Sequence, residues 1–282
     1  MLFGVHVSIA GGVFKAPANA KEIDCEVFQM FSRSPRGGPA PVLTKDVVAA
    51  FQSETKANSQ AEAYIHAPYY INLASADSKI RNSSIRVIRE ELERASILGA
   101  KYIMTHLGSA RDLERAEAVL AVTDAVKRIL EGYHGTALLL LENSAGSGDV
   151  IGSRFEELKE ILDGIPRQAR DVCGICLDTC HAFASGYDLR TEKAVDETLK
   201  EFDRIIGLKF LKMIHINDSK AELGKRLDRH EHIGQGHIGL AGFQALIKHP
   251  ALKNINMIAE TPEDEQGNQA DDLNILKKMR LE

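Results

Sequence analysis

Apolar runs of strand length alternate with helical spacings from one end of the chain to the other. The runs Phe3–Ile9, Val27–Phe31, Ala63–His66, Tyr102–His106, Ala137–Glu142, Gly174–Asp178, Lys212–Ile216 and Met257–Glu260 read as strands. Within the fifth, Ala137–Leu141 shows no polar alternation, the pattern of a parallel strand covered on both faces. Between the runs, non-polar positions recur at three- and four-residue steps, as in Ile85, Ile88, Leu92, Ala95 and in Ala116, Val119, Thr123, Val126, Leu130. Thr191–Ile206, Gly242–Lys248 and Asp271–Met279 continue the helical series. Eight strands in strict alternation with about eight helices predict an α/β fold whose parallel sheet closes into a TIM (β/α)8 barrel. No linker or break in composition interrupts the alternation, so residues 1–282 are expected to form a single domain.

Composition narrows the class. Hydrophobic residues make up 44% and charged residues 27% of the chain, enough to bury a sizeable core. The start lacks the basic flank and apolar core of a signal peptide, and no run approaches the roughly 18 apolar residues of a membrane helix. A cytoplasmic protein without membrane contact is the expectation. The net charge of −5 argues against a generic basic nucleic-acid binder, although bound cations would invert the local sign of the field. Cys25, Cys173, Cys176 and Cys180 lack the second pair of a four-ligand zinc site. They read as buried, reduced thiols acting as small hydrophobes.

The chemistry gathers at the strand ends. His66, His106, Glu142, Asp178, His215 and Glu260 close six consecutive candidate strands, and a closed barrel brings such ends onto one ring. Any one of these histidines could be a satisfied core residue. Together they are a set of zinc-type ligands, and crowded carboxylates left without a cation would raise one another's pKa. Six ligands suit two divalent ions about 3.5–4 Å apart, which can share a hydroxide and clamp an in-line displacement at phosphorus. His181 at the opening of the next loop, with Asp228 and His230 two residues apart, could hold a third ion. Two connections, Ser32–Pro41 and Asp218–Gly239, are richer in Gly, Pro and charge than packing requires, and both follow strands onto the catalytic face.

The segments HVSIAGG, HAPYYINLAS, THLGS, LENSAGSG, GICLDTCHAFASGYD, HINDSK, LDRHEHIGQGHIG and AETP resemble the endonuclease IV family of abasic-site DNA repair enzymes over nearly the whole chain. The resemblance implies a TIM barrel with three zinc ions, manganese being possible at one or more sites. His66 and His106 would bind the first, with Glu142 bridging to the second; Asp178, His215 and Glu260 would complete the second. His181, Asp228 and His230 would hold the third. It further implies hydrolysis of the phosphodiester bond 5′ to an abasic site in duplex DNA, as a step of base excision repair, by a metal-bound hydroxide. The products would be a 3′-hydroxyl and a 5′-deoxyribose phosphate. By the same resemblance Arg36, Tyr69 and Tyr70 would enter damaged double-stranded DNA at the lesion, and the protein would act as a monomer. Tyr70 and the Ser34–Gly38 loop depart from the family's usual Leu and its Asn- and Trp-containing loop.

Arg33, Lys220, Lys225, Arg226 and Arg229 lie on the loops that would flank the DNA and offer phosphate contacts. His6, His232 and His237 fall near the site in sequence but are not assigned as ligands, and His134 and His249 read as surface residues. The rival reading is a one-metal sugar isomerase or epimerase on the same barrel, using Glu142, Asp178, His215 and Glu260. That reading leaves His66, His106, His181, Asp228 and His230 without a job. A lesion-binding protein without catalysis is a further alternative, disfavoured because no ligand position is broken.

Overall fold

The computed structural model describes residues 1–264 and 268–282. Eight parallel strands close a barrel: β1 (Phe3–Val7), β2 (Phe28–Met30), β3 (Ala63–His66), β4 (Tyr102–Thr105), β5 (Leu138–Glu142), β6 (Cys173–Asp178), β7 (Leu211–His215) and β10 (Asn256–Ala259). Each pairs with its sequence neighbour in the barrel, and β10 closes onto β1 with Phe3 opposite Met257. The short strands β8 (Asp218–Ser219) and β9 (His230–Glu231) form a separate antiparallel pair.

Two apolar layers hold the barrel. Val27, Tyr64, Met104, Leu140, Cys176, Met213 and Ile258 fill its interior, and a larger core packs the outer face of the sheet against the helices. Leu139, Leu140 and Leu141 are all fully buried, which is why the fifth run shows no alternation. The helices begin where the sequence supplies caps. Thr44, Asp77, Thr191 and Asn268 each accept a backbone N–H from the first turn of the helix that follows. The strands pass so close that a Cβ on Gly4 would stand 1.7 Å from the carbonyl oxygen of Val27. All four cysteines are free and buried, as read from the sequence.

Two expectations change. The Asp218–Gly239 connection is not one irregular loop, since it contains the β8–β9 pair. Asp218 is buried beneath it and accepts the backbone N–H groups of Ser219, Gly234, Gly236, Ile238 and Gly239. Those bonds satisfy backbone groups that the two-residue β8–β9 ladder leaves unpaired. Secondly, His181 does not sit on a loop but on the short helix Thr179–Ser185, capped by the Asp178 carboxylate through the His181 N–H at 2.7 Å. Among the described residues, no helix is long and apolar enough to cross a membrane.

Candidate metal centre

The barrel brings the strand-end residues together at its C-terminal mouth. His66, Glu142, Asp178 and His215 are the last residues of β3, β5, β6 and β7, while His106 and Glu260 each lie one residue past a strand. Register sets their spacing: Asp178 is paired with His215 across the β6–β7 ladder. His66, His106 and Glu142 present ligand atoms within 4.8 Å of one another, and so do Glu142, Asp178, His215 and Glu260. Glu142 belongs to both groups and is wholly buried, with one oxygen 3.1 Å from His66 Nε2 and the other 3.0 Å from His215 Nδ1. A third gathering joins His181 and His230, whose Nε2 atoms lie 3.2 and 3.6 Å from Asp228 Oδ1.

Backbone carbonyls aim the imidazoles. Nδ1 of His66 donates to Ala67 O at 2.6 Å, Nδ1 of His181 to Asn143 O at 2.9 Å, and Nδ1 of His230 to Glu260 O at 3.0 Å. With Nδ1 protonated, each turns its Nε2 lone pair into the site. The Nε2 atoms of His181 and His230 are buried without a hydrogen-bond partner. Orphaned buried nitrogens beside carboxylates fit a cation better than they fit one another.

The electrostatics say the same. Burial alone would raise the Glu142 and Glu260 carboxyls, but the facing histidines hold both well below the usual carboxylate range. Burial would lower His181, yet the Asp178 charge and the Asp228 contact push it up to about 10. Asp228, despite burial, is drawn down to about 2 by His181. His106 moves the other way, lowered chiefly by burial. The carboxylates stay ionised across the neutral range, as a cation site requires.

A supporting layer escaped the sequence reading. Asn143 accepts the Asp178 N–H at 2.6 Å, and Asn217 donates to Asp178 Oδ2 at 2.6 Å while accepting the Glu260 N–H at 2.7 Å. Gln29 bonds His215, Glu260 and His6 together, and His6 stands opposite it in the β1–β2 register. A lone amide inside the apolar run Val27–Phe31 was the visible signal for Gln29.

The residues expected at DNA are spread around this mouth. Arg36, Tyr69, Tyr70, Lys220, Arg226 and Arg229 are all exposed, Tyr69 to 65% and Tyr70 to 41%. A cavity of about 620 Å³ opens beside the cluster, bounded by Tyr69, Tyr70, Asn72, His106, Ser144 and Asp228. Arg33 corrects its expectation. It is buried and ion-paired to Glu90 at 2.8 Å and Glu91 at 2.5 Å on the helix Ser78–Leu98 instead of facing solvent. Lys220 leans on Glu231 at 3.7 Å, and Lys225 on Glu222 at 3.7 Å. His232 is buried between Asp272 and Asp264, His249 is half-buried near Asp196, and His134 and His237 are exposed.

A family model described as xylose isomerase-like TIM barrel matches residues 17–279. The chain therefore belongs to that barrel class, in which the crystal structure of a D-tagatose 3-epimerase-like protein superposes with a TM-score of 0.74 at 21% identity, sharing the fold. Closer relatives narrow the placement. The chain is 42% identical over 282 residues to probable endonuclease 4 of Methanoculleus marisnigri, covering all of this chain and 99% of the relative. It is 40% identical to probable endonuclease 4 of Chloroflexus aggregans, covering 93% and 92% of the two chains. The crystal structure of endonuclease IV from Thermus thermophilus matches with a TM-score of 0.86 and 34% identity, covering 99% and 98%. Within the class, the chain belongs to the endonuclease IV family.

Proposed function

We propose that this protein adds water across the phosphodiester bond 5′ to abasic sites in duplex DNA, leaving a 3′-hydroxyl and a 5′-deoxyribose phosphate, as a step of base excision repair. The observation that carries this reading is the surplus of ligands. Glu142, Asp178, His215 and Glu260 alone would serve a one-ion sugar isomerase, yet His66, His106, His181, Asp228 and His230 crowd the same mouth.

The donor set fits three zinc ions, and its mixture of imidazole and carboxylate also accommodates manganese. His66 and His106 would hold the first ion, Glu142 would be shared with a second held by Asp178, His215 and Glu260, and His181, Asp228 and His230 would hold the third. When bound, such ions supply Lewis acidity toward phosphoryl oxygens and lower the pKa of nearby water. The chain's own residues do the rest. Glu142 stays ionised in a buried position and so fixes the spacing of the two halves of the site. Asn143 and Asn217 lock the Asp178 carboxylate and backbone. Arg226 and Arg229 meet the DNA backbone with Lys220, while Arg36, Tyr69 and Tyr70 occupy the place of the missing base. A monomer acting in the cytoplasm suffices for this chemistry.

The test uses a duplex carrying one tetrahydrofuran abasic analogue, which cannot undergo β-elimination. We expect a cut immediately 5′ of the analogue, lost after chelation and lost in Glu142→Gln. Metallated protein that leaves this duplex intact while interconverting sugars would overturn the reading in favour of the isomerase.

A further inference from the structure

A second cavity, of about 360 Å³, lies on the catalytic face and is bounded by Arg115, Arg154, Arg226, Gly146, Gly148 and Ser153. The same connection lines both cavities: Ser144, Val150 and Ile151 border the larger one that reaches His106 and Asp228, and Gly146 and Gly148 border this one. Three guanidiniums border it. Among the described residues they are offset by one carboxylate, the buried Glu157, which Arg115 engages through Nε and Nη2 and which Arg154 approaches at 3.3 Å. Burial would raise Glu157, but the Arg115 hydrogen bond holds it below its ordinary value, so it remains a single negative charge. The cavity keeps a positive surplus in a chain whose net charge is −5. Arg226 has no carboxylate partner of its own among the described residues.

The position of Arg226 is built rather than incidental. It holds φ at 57°, an uncommon backbone for a side chain of this size. Its N–H donates to Ala184 O at 2.8 Å, and its carbonyl accepts from Ser147 Oγ at 2.6 Å. Its stem runs close to Gly146, where an added Cβ would stand 3.5 Å from Arg226 Cγ. Gly148, at φ 56°, leaves open space on its side of the wall. Guanidiniums around a small-residue wall, with Arg115 Nη2 steadied by Ser153 Oγ and Val150 O, are the chemistry of a phosphate pocket.

We propose that Arg115, Arg154 and Arg226 bind one backbone phosphate of the DNA, separate from the phosphate that is cut. This rests on the nuclease reading and adds a contact that sets the strand's register against the metal ring. The shared chemistry is a phosphate monoanion or dianion, and DNA is its source here.

The test measures equilibrium binding of the tetrahydrofuran duplex across a salt series, for wild type, Arg154→Gln and Arg226→Gln. Both side chains are exposed, so neither substitution opens the core. Each variant should bind about tenfold more weakly, with the slope of log K against log salt reduced by roughly one, since a phosphate contact contributes about 0.9. Replacing single phosphates by methylphosphonate should reveal one position that weakens wild type comparably and leaves either variant unaffected. Equal slopes in all three proteins, with every methylphosphonate costing the same, would overturn the pocket while leaving incision intact. Binding of inorganic phosphate that Arg154→Gln abolishes, without change in duplex affinity, would overturn it in favour of a small-anion site. Wild type that neither binds nor cuts the duplex would remove both this pocket and the nuclease reading.

Discussion

Gln29 on β2 reaches across the barrel mouth to His215 on β7, its Oε1 accepting from Nε2 at 2.8 Å. The amide nitrogen donates to Glu260 at 2.6 Å, which fixes which end of the amide meets the imidazole. His215 is therefore held with Nδ1 toward Glu142 and Glu260, at 3.0 and 3.2 Å. An amide that sets ring orientation behind a ligand typically changes metal affinity by about 10–100-fold when removed. Gln29→Ala is expected to lower the affinity of the Glu142–Asp178–His215–Glu260 site by that factor. Competition against a chromophoric chelator reads it directly, and an unaltered affinity would leave Gln29 as packing only.

Arg33, Glu91, Arg94 and Ser32 form a buried polar knot behind the Ser32–Pro41 segment. Arg94 also donates to the carbonyls of Pro41 and Ser32, both at 2.7 Å, so the knot moors both ends of that segment. Removing one member of a buried ionic group strands the others, at a cost of about 3–5 kcal/mol. Glu91→Ala should lower the unfolding free energy read from urea titration by an amount in that range. Arg33→Ala should destabilise similarly without changing the salt slope of DNA binding, and a lower slope would restore Arg33 as a phosphate contact.

Glu26 ties the chain ends together. It accepts the Phe3 N–H at 2.9 Å and pairs with both terminal nitrogens of Arg280 at 2.8 Å. Partial burial would raise its pKa, but these bonds hold it below the ordinary 4.5. A depressed carboxyl stabilises the fold above its unfolded value, and that stabilisation is lost as pH falls through the folded value. Glu26→Gln should therefore cost about 1.5–3 kcal/mol at pH 7, the range for hydrogen bonds to charged groups. The gap between wild type and variant in urea titrations should close as pH falls through the depressed value of the folded state. A gap independent of pH would mean that shape, not charge, is what Glu26 supplies.

How much of this could be read beforehand depended on whether a residue's role followed from its place in a repeat. The gathering of the strand-end residues was legible because one alternation governs them all, and a barrel turns that alternation into proximity. Arg33 was not, since residue type gives charge but not direction, and the buried Glu91 that turns it inward lies 58 positions away. Asn143 and Asn217 were hidden by being ordinary neighbours of Glu142 and Ile216. The helix Thr179–Ser185 spans seven residues and the β8 and β9 strands two each, too short for periodicity to register.

Tyr69 and Tyr70 sit differently on the rim of the candidate metal centre. Tyr69 packs its ring edge-on to Phe31 at 5.3 Å and tilts over His66 at 5.9 Å, so part of its surface belongs to the protein. Tyr70 borders the 620 Å³ cavity as Tyr69 does, and a Cβ added on Gly37 of the Ser32–Pro41 segment would lie 3.9 Å from its ring. No ring contact of this kind involves Tyr70 among the described residues, although at 41% it is less exposed than Tyr69 at 65%. Aromatic contacts with bases are worth about 1–3 kcal/mol each, or roughly 5- to 150-fold in Kd. Entry requires unstacking, which costs least where a base is already absent. Tyr70→Ala should therefore weaken binding to the tetrahydrofuran duplex within that range while leaving affinity for the undamaged duplex nearly unchanged. Equal losses on both duplexes would show that Tyr70 supports the barrel rim and does not sense the gap.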